Sequence, residues 1–279
     1  NNFFINIFGQ YDLATDYRLP NDPKIIGDER FLFNSRFKNK GLKFSIAKRT
    51  KNTQNIFRYQ NNVDEVGIPA HAHGDLSEVK LTDQNISGTQ LYLPDDYEST
   101  RPTQFINNHL FTLENIYFNK ESKYTLFLGH FINHLQEYEK WTVPGFDIKT
   151  NNSIGRFNVK KFNNNFTINL GATVEYLNNR NSEATDTLTP DASSKDFGVY
   201  STLDFENKGF GFNLGIRYDY KDVESAEVNF ENSYSSFSSS AGLFLERNSH
   251  TSRLTYSSSF RSPHFSELFS YGLHHGTMR

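Results

Sequence analysis

Phe166-Thr167-Ile168-Asn169-Leu170-Gly171-Ala172-Thr173-Val174-Glu175-Tyr176 decides the fold. Phe166, Ile168, Leu170, Ala172, Val174 and Tyr176 fall on one side, and polar or small residues fall on the other. A period of two is the signature of a β-strand with one greasy and one hydrated face. The pattern recurs at Phe210, Phe212, Leu214, Ile216, Tyr218 and Tyr220, opposed by Gly211, Asn213, Gly215, Arg217 and Asp219. It recurs again at Phe197, Val199, Ser201, Leu203 and Phe205.

A soluble sandwich shows the same alternation, so the period alone does not name the solvent on the apolar face. Strand length does more. Transmembrane strands need roughly 9–11 residues, against about five or six in soluble sheets. The pattern places strands at 2–13, 31–49, 54–67, 104–119, 123–140, 148–161, 165–179, 195–206, 210–222, 233–248 and 251–261. Their connections alternate. Tight polar turns stand near Lys51-Asn52-Thr53, Lys120-Glu121-Ser122, Asn163-Asn164, Lys208-Gly209 and Ser249-His250, and longer loops at about 14–30, 68–103, 141–147, 180–194, 223–232 and from 262 onward. Outer-membrane barrels have short turns on the periplasmic side and long loops outside. Greek-key sandwiches mix lengths at both ends.

Composition agrees. Aromatic residues make up 15% of the 279 residues while mean hydropathy is −0.66. A barrel reconciles the two, because its rings face lipid while a polar lumen and polar loops lower the average. No run of about 18 apolar residues could cross a bilayer as a helix. A net charge of −3, spread along the chain, leaves no basic footprint for nucleic acid. Cysteine is absent, which excludes disulfides and thiolate chemistry. No Gly-x-Ser-x-Gly elbow, His-Glu-x-x-His motif or phosphate-binding Gly loop appears, so an enzyme is not expected. The expectation is an all-β, antiparallel up-and-down transmembrane β-barrel. About eleven strands cannot close with every neighbour antiparallel, and the chain opens in a strand without a signal peptide. Residues 1–279 are therefore expected to be a fragment of one barrel domain.

Candidate sites lie in the loops. His71 and His73, followed by Asp75, open the longest loop; two imidazoles at i, i+2 of an extended chain can face one ion, as zinc sites require. A hydrated surface loop is the alternative. His274 and His275 could hold a metal or a haem iron, though adjacent residues in an extended chain point oppositely. Tyr92, Tyr97 and Trp141 could stack on a flat ligand or belong to an interfacial aromatic girdle. His130 and His134 share the apolar face of their strand, near its end, where an interfacial position suits them. Arg261 and Glu267 flank Pro263, which breaks the strand.

Phe260-Arg261-Ser262-Pro263, the following Glu267-Leu268, and the stretch Gly272-Leu273-His274-His275-Gly276-Thr277 resemble a segment of TonB-dependent outer-membrane receptors. Gly27 to Phe37, Pro190-Asp191-Ala192 leading into Asp196 to Tyr200, and Gly215-Ile216-Arg217-Tyr218-Asp219 are similar to strands and loop returns of the same barrels. The resemblance implies a 22-stranded barrel in the outer membrane of a Gram-negative bacterium, with a plug domain and a coupling box for the TonB complex. This chain would then be its middle portion, without plug or closing strands. The resemblance further implies a metal or metal complex as extracellular cargo and no resident cofactor; Arg261 and Glu267, as paired charges at a lumen mouth, could contact that plug through a salt bridge or be structural. Gly67-Ile68-Pro69 followed by His71-Ala72-His73 looks like the zinc-importing branch; ferric siderophore and haem remain alternatives.

Overall fold

The computed structural model describes residues 2–18, 31–32, 34–69, 97, 102–138, 143–182, 187 and 189–269. Eleven strands form one antiparallel sheet whose spatial order is the chain order. They are β1 (Asn2–Ala14), β4 (Phe37–Arg49), β5 (Thr53–Gly67), β6 (Thr103–Asn119), β7 (Ser122–Tyr138), β8 (Phe146–Asn163), β9 (Phe166–Asn181), β10 (Ala192–Asn207), β11 (Phe210–Ser225), β12 (Phe230–Arg247) and β13 (His250–Ser258). The small pair β2 (Tyr17–Arg18) and β3 (Phe31–Leu32) stands apart, and the helix α1 (Phe265–Phe269) ends the described chain. The architecture is an open partial barrel built as a meander.

Directly paired residues share a face, so the register assigns every side chain. The outer face of β9 carries Phe166 through Tyr176, paired across β10 and β11 with Phe205, Leu203, Val199 and Phe197 and then Phe212, Leu214, Tyr218 and Tyr220. These rings and branched chains are exposed in the isolated sheet, Leu170 at 51% and Phe197 at 45%. Ten steps of about 3.3 Å, tilted by roughly 40°, rise about 25 Å, the height of a barrel's apolar band.

The tilt is legible in the register. One line runs Ile7, Phe44, Tyr59, Phe111, His130, Ser153, Tyr176, Lys195, Asp222, Ser233. It crosses the middle of the apolar band on β1, its upper edge on β9, and polar residues above the band on β11 and β12. The band thus falls by about one residue per strand, the stagger of a barrel whose shear equals its strand count, with a tilt of about 36°.

Four two-residue turns and one of three residues, 50–52 between β4 and β5, close the short end. Lys208 and Gly209 both have positive φ, 49° and 82°, as the mirror-type hairpin turn requires. Asn164 and Asn248 adopt φ of 40° and 55° at the β8–β9 and β12–β13 turns.

Several expected boundaries shift. The single strand expected over 31–49 is two, β3 and β4, because Asn34 takes φ 57° and turns the chain. β10, β11 and β12 extend further toward the loop end than the apolar pattern suggests, which reduces the expected loop 223–232 to the turn 226–229. β13 stops at Ser258 rather than 261, and the chain beyond it leaves the sheet for the inner face.

Candidate functional site

The inner face is where chemistry is possible, and it is polar and closely networked. Asn158 Nδ2 donates to Asn169 Oδ1 at 2.5 Å and to the Tyr200 hydroxyl at 2.7 Å. Tyr200 lies over Gly171, where a Cβ would collide with its ring. Arg217 grips Asp219 through Nε at 2.7 Å and Nη2 at 2.5 Å, and its guanidinium stands 5.8 Å from the centre of the Tyr200 ring. That fork covers Gly198, so glycine is required there for space. Lys221 reaches Asp196 at 3.2 Å. The wall is thus pre-organised by hydrogen bonds and charge pairs among neighbouring strands.

At the loop end, a buried knot ties the roots of two loops. Asp16 accepts from the Ser35 and Arg36 amides at 2.8 and 3.1 Å, and from Arg36 Nη2 at 2.8 Å; both side chains are almost fully buried. Asn34 Nδ2 donates to the carbonyls of Ile68 and Pro102, at 3.0 and 2.5 Å. The Ile68 amide donates to Pro102 O at 2.9 Å, so the two ends of the long loop are clamped together. A second latch joins the β9–β10 and β11–β12 connections. Asp191 Oδ1 accepts from the Asn181 amide at 2.7 Å, and the Asp191 amide donates to Glu227 at 2.8 Å.

The third element is a strap. After β13, Phe265 of α1 inserts into a pocket of Ala192 and Val223, with Leu177, Phe230 and Tyr234 around it; Phe265 is 1% exposed. Those partners face inward, so α1 lies on the inner wall near its loop end. Glu267 accepts from Arg261 at 2.6 and 2.8 Å and from the His264 amide at 2.7 Å. The His264 carbonyl accepts from the Glu267 amide at 2.9 Å as the first turn of the helix closes, and the Glu267 carboxylate returning to the His264 amide supplies the acidic half of a capping box. Arg261 beside it holds the Glu267 carboxyl well below the usual carboxylate range, at about 2, with the His264 amide adding to the effect.

Of the residues singled out from sequence, His71, His73, Asp75, Tyr92, Trp141, His274 and His275 lie outside the described residues. Tyr97 is described and is 48% exposed. Arg261 and Glu267 are brought together, with each other. His130 and His134 face outward as expected, at or just above the upper edge of the apolar band. His130 Nδ1 is 2.8 Å from Ser153 Oγ, and His134 Nε2 is 2.7 Å from Asp147 Oδ1. Among the described residues, no three His, Cys, Asp or Glu side chains converge as a metal site. Sequence reasoning missed the strap. The signal was present: His264 to Glu267 has capping-box spacing, and Phe265, Leu268 and Phe269 fall at i, i+3, i+4 of a helical face.

The iron transporter FrpB of Neisseria meningitidis (F3-3 variant) superposes with a TM-score of 0.74 at 12% identity, over 94% of this chain and 43% of that one. The alcaligin outer-membrane receptor FauA of Bordetella pertussis gives 0.59 at 12% identity, over 80% and 36%. The unliganded ferric citrate transporter FecA gives 0.56 at 10% identity, over 88% and 37%. The chain therefore spans less than half the length of these structures, and likeness at such identity speaks to fold. A search among curated proteins returns no significant match. The family profile described as TonB dependent receptor-like, beta-barrel, matches residues 3–278. An outer face shaped for lipid, a hydrogen-bonded inner wall and a match along nearly the whole length agree: the chain belongs to the β-barrel family of TonB-dependent receptors.

Proposed function

We propose that this barrel is part of an outer-membrane receptor of a Gram-negative bacterium that takes up a metal or metal complex actively. Extracellular loops capture the cargo, a plug domain gates the lumen, and the TonB complex supplies the work. The observation that carries this reading is the family match over residues 3–278 on a sheet with a lipid-facing band and a polar inner wall. The family is one of receptors and transporters, which favours a non-enzymatic role. FrpB, FauA and FecA are described as an iron transporter, an alcaligin receptor and a ferric citrate transporter, and this supports a ferric chelate as the first cargo to test. The pair His71 and His73, with Asp75, supports zinc as a second reading, since neutral imidazole and carboxylate are common zinc ligands. Haem would engage His274 or His275 and the loop aromatics Tyr92, Tyr97 and Trp141.

Uptake of zinc, haem and ferric chelates by the full-length protein, with and without His71→Ala plus His73→Ala, tests these readings. Loss of zinc uptake alone assigns zinc. Retained zinc uptake removes those histidines from the site. A passive porin would conduct ions through an open lumen, so single-channel conductance separates it from a plugged receptor.

A further inference from the structure

Inward-facing charges on β4 to β8 are one-sided. Lys43, Arg58 and Arg156 face the lumen, and the one inward carboxylate on the membrane-height stretch of these strands is Glu114, which Arg58 engages at 3.3 Å. The register puts the three cations at one height. Arg156 pairs through Phe127, Glu114 and Ile56 with Ala47, four residues below Lys43, and lies four strands away. With a fall of about one residue per strand, Arg156 and Lys43 are level. Arg58 pairs with Ser45 on the adjacent strand and comes within about one residue of the same level. On the far wall Arg217, close to this height, is already neutralised by Asp219.

The cations stand beside aromatic rings. Lys43 Nζ is 5.8 Å from the Phe8 ring centre, and the Arg156 guanidinium is 5.9 Å from that of Phe127. Between them the wall is hollowed by a cavity of about 400 Å³ whose lining includes Phe8, Lys43, Arg58, Gln60, Leu110 and Phe127. Apolar walls, a few convergent polar groups and this volume are the attributes of a small-molecule site. A half-ring of Lys and Arg halfway down a lumen is the arrangement that selects anions in pores, and low-dielectric walls strengthen its field.

We infer that the hollow lined by Lys43 and Arg58, with Arg156 level with them beyond the lining residue Phe127, is an anion-binding station at mid-height of the lumen, fitted to a small metal chelate of net negative charge. This rests on the uptake reading and adds to it a charge preference and a location on the barrel wall. Rings flanking the cations suit a ligand with a flat or apolar part, and the cavity's size favours a small molecule over a polypeptide surface.

The test uses the full-length protein, purified in detergent and in cells, with ferric citrate as the anionic probe and ferrichrome as a neutral one. Lys43→Glu plus Arg156→Glu is expected to weaken ferric citrate binding by roughly tenfold or more, since like-charge juxtaposition is costly. Ferrichrome binding is expected to stay as it is, and heat-modifiable gel mobility to report a folded barrel. Lys43→Gln plus Arg156→Gln gives a smaller loss in the same direction. Absence of ferric citrate binding by the wild type, or binding indifferent to both variants, overturns the station. Equal loss of both probes with a rise in single-channel conductance also overturns it and assigns the cations to seating an acidic face of the plug. Wild-type binding without energised uptake of ferric citrate or ferrichrome leaves the station standing and rejects the ferric-chelate version of the uptake reading instead.

Discussion

Arg261 and Glu267 close a two-bond fork across six residues, at 2.6 and 2.8 Å, and so fold the chain after β13 back on itself. Because the same carboxylate caps α1 through the His264 amide, the fork and the helix form together. The Glu267 carboxyl is held at about 2 against an ordinary 4.5. A lowered folded value means stabilisation that is fully present above the ordinary value and is lost as pH falls through about 2. The protection factors of the 264–269 amides, exchange measured against the intrinsic rate at each pH, are therefore expected to fall on acidification from pH 5 to 2. Glu267→Gln should show low protection throughout, with no change in protection factor over that range.

Phe265 carries the docking of this strap. It is the one ring of α1 that is fully buried, against Ala192 and Val223. Phe265→Ala is expected to remove about 3–5 kcal/mol from strap docking. Limited proteolysis should then cut within 260–269 while the strands stay protected. A cut pattern identical to that of the wild type would show that the strap is held from elsewhere.

The long strands were legible in the sequence because lipid on one side and a polar lumen on the other impose the same period of two. At Phe166 to Tyr176 nothing competes with that signal. Legibility ended where the outer residues were no longer apolar. Ala192 to Ser194 and Val223 to Ser225 continue their strands by backbone pairing and by bonds such as Ser193 Oγ to Glu224 at 2.8 Å, so polar composition read as loop. Asn34 breaks an otherwise regular alternation through one positive φ, set by its bonds to Ile68 and Pro102, which lie far along the chain. The strap failed for a different reason. Its short apolar triad is meaningful only beside the pocket of Ala192 and Val223, which distant strands supply. The mid-height cations were visible as residues, but their common level appears only once the register fixes the tilt.

The knot at the loop roots predicts a graded response. Asp16→Ala leaves Arg36 buried without its carboxylate, a change of about 3–5 kcal/mol. Asn34→Ala removes the bonds to the Ile68 and Pro102 carbonyls that flank residues 70–101, of which Pro102 O keeps the Ile68 amide as donor, a cost of about 1–3 kcal/mol. Both should speed protease cleavage within the loops. Asn34→Ala is expected to do so in 70–101 with little effect on the urea midpoint of the barrel, and Asp16→Ala to lower that midpoint as well.

The assignment of faces predicts opposite outcomes for one substitution at two nearby positions of β9. Leu170 points outward near the middle of the apolar band. Lysine there meets hydrocarbon, at a cost of about 2–4 kcal/mol near the bilayer midplane. Thr167 points inward and pairs directly with Asp204. Lysine at that position gains a carboxylate neighbour in a wet lumen, so its effect should stay within about 0.5 kcal/mol. Urea unfolding of the full-length protein from lipid vesicles measures both. Leu170→Lys should shift the midpoint strongly and Thr167→Lys hardly at all. Equal shifts would mean that the apolar face of β9 does not meet lipid, and the reversed order would place the lumen on the opposite side of the sheet.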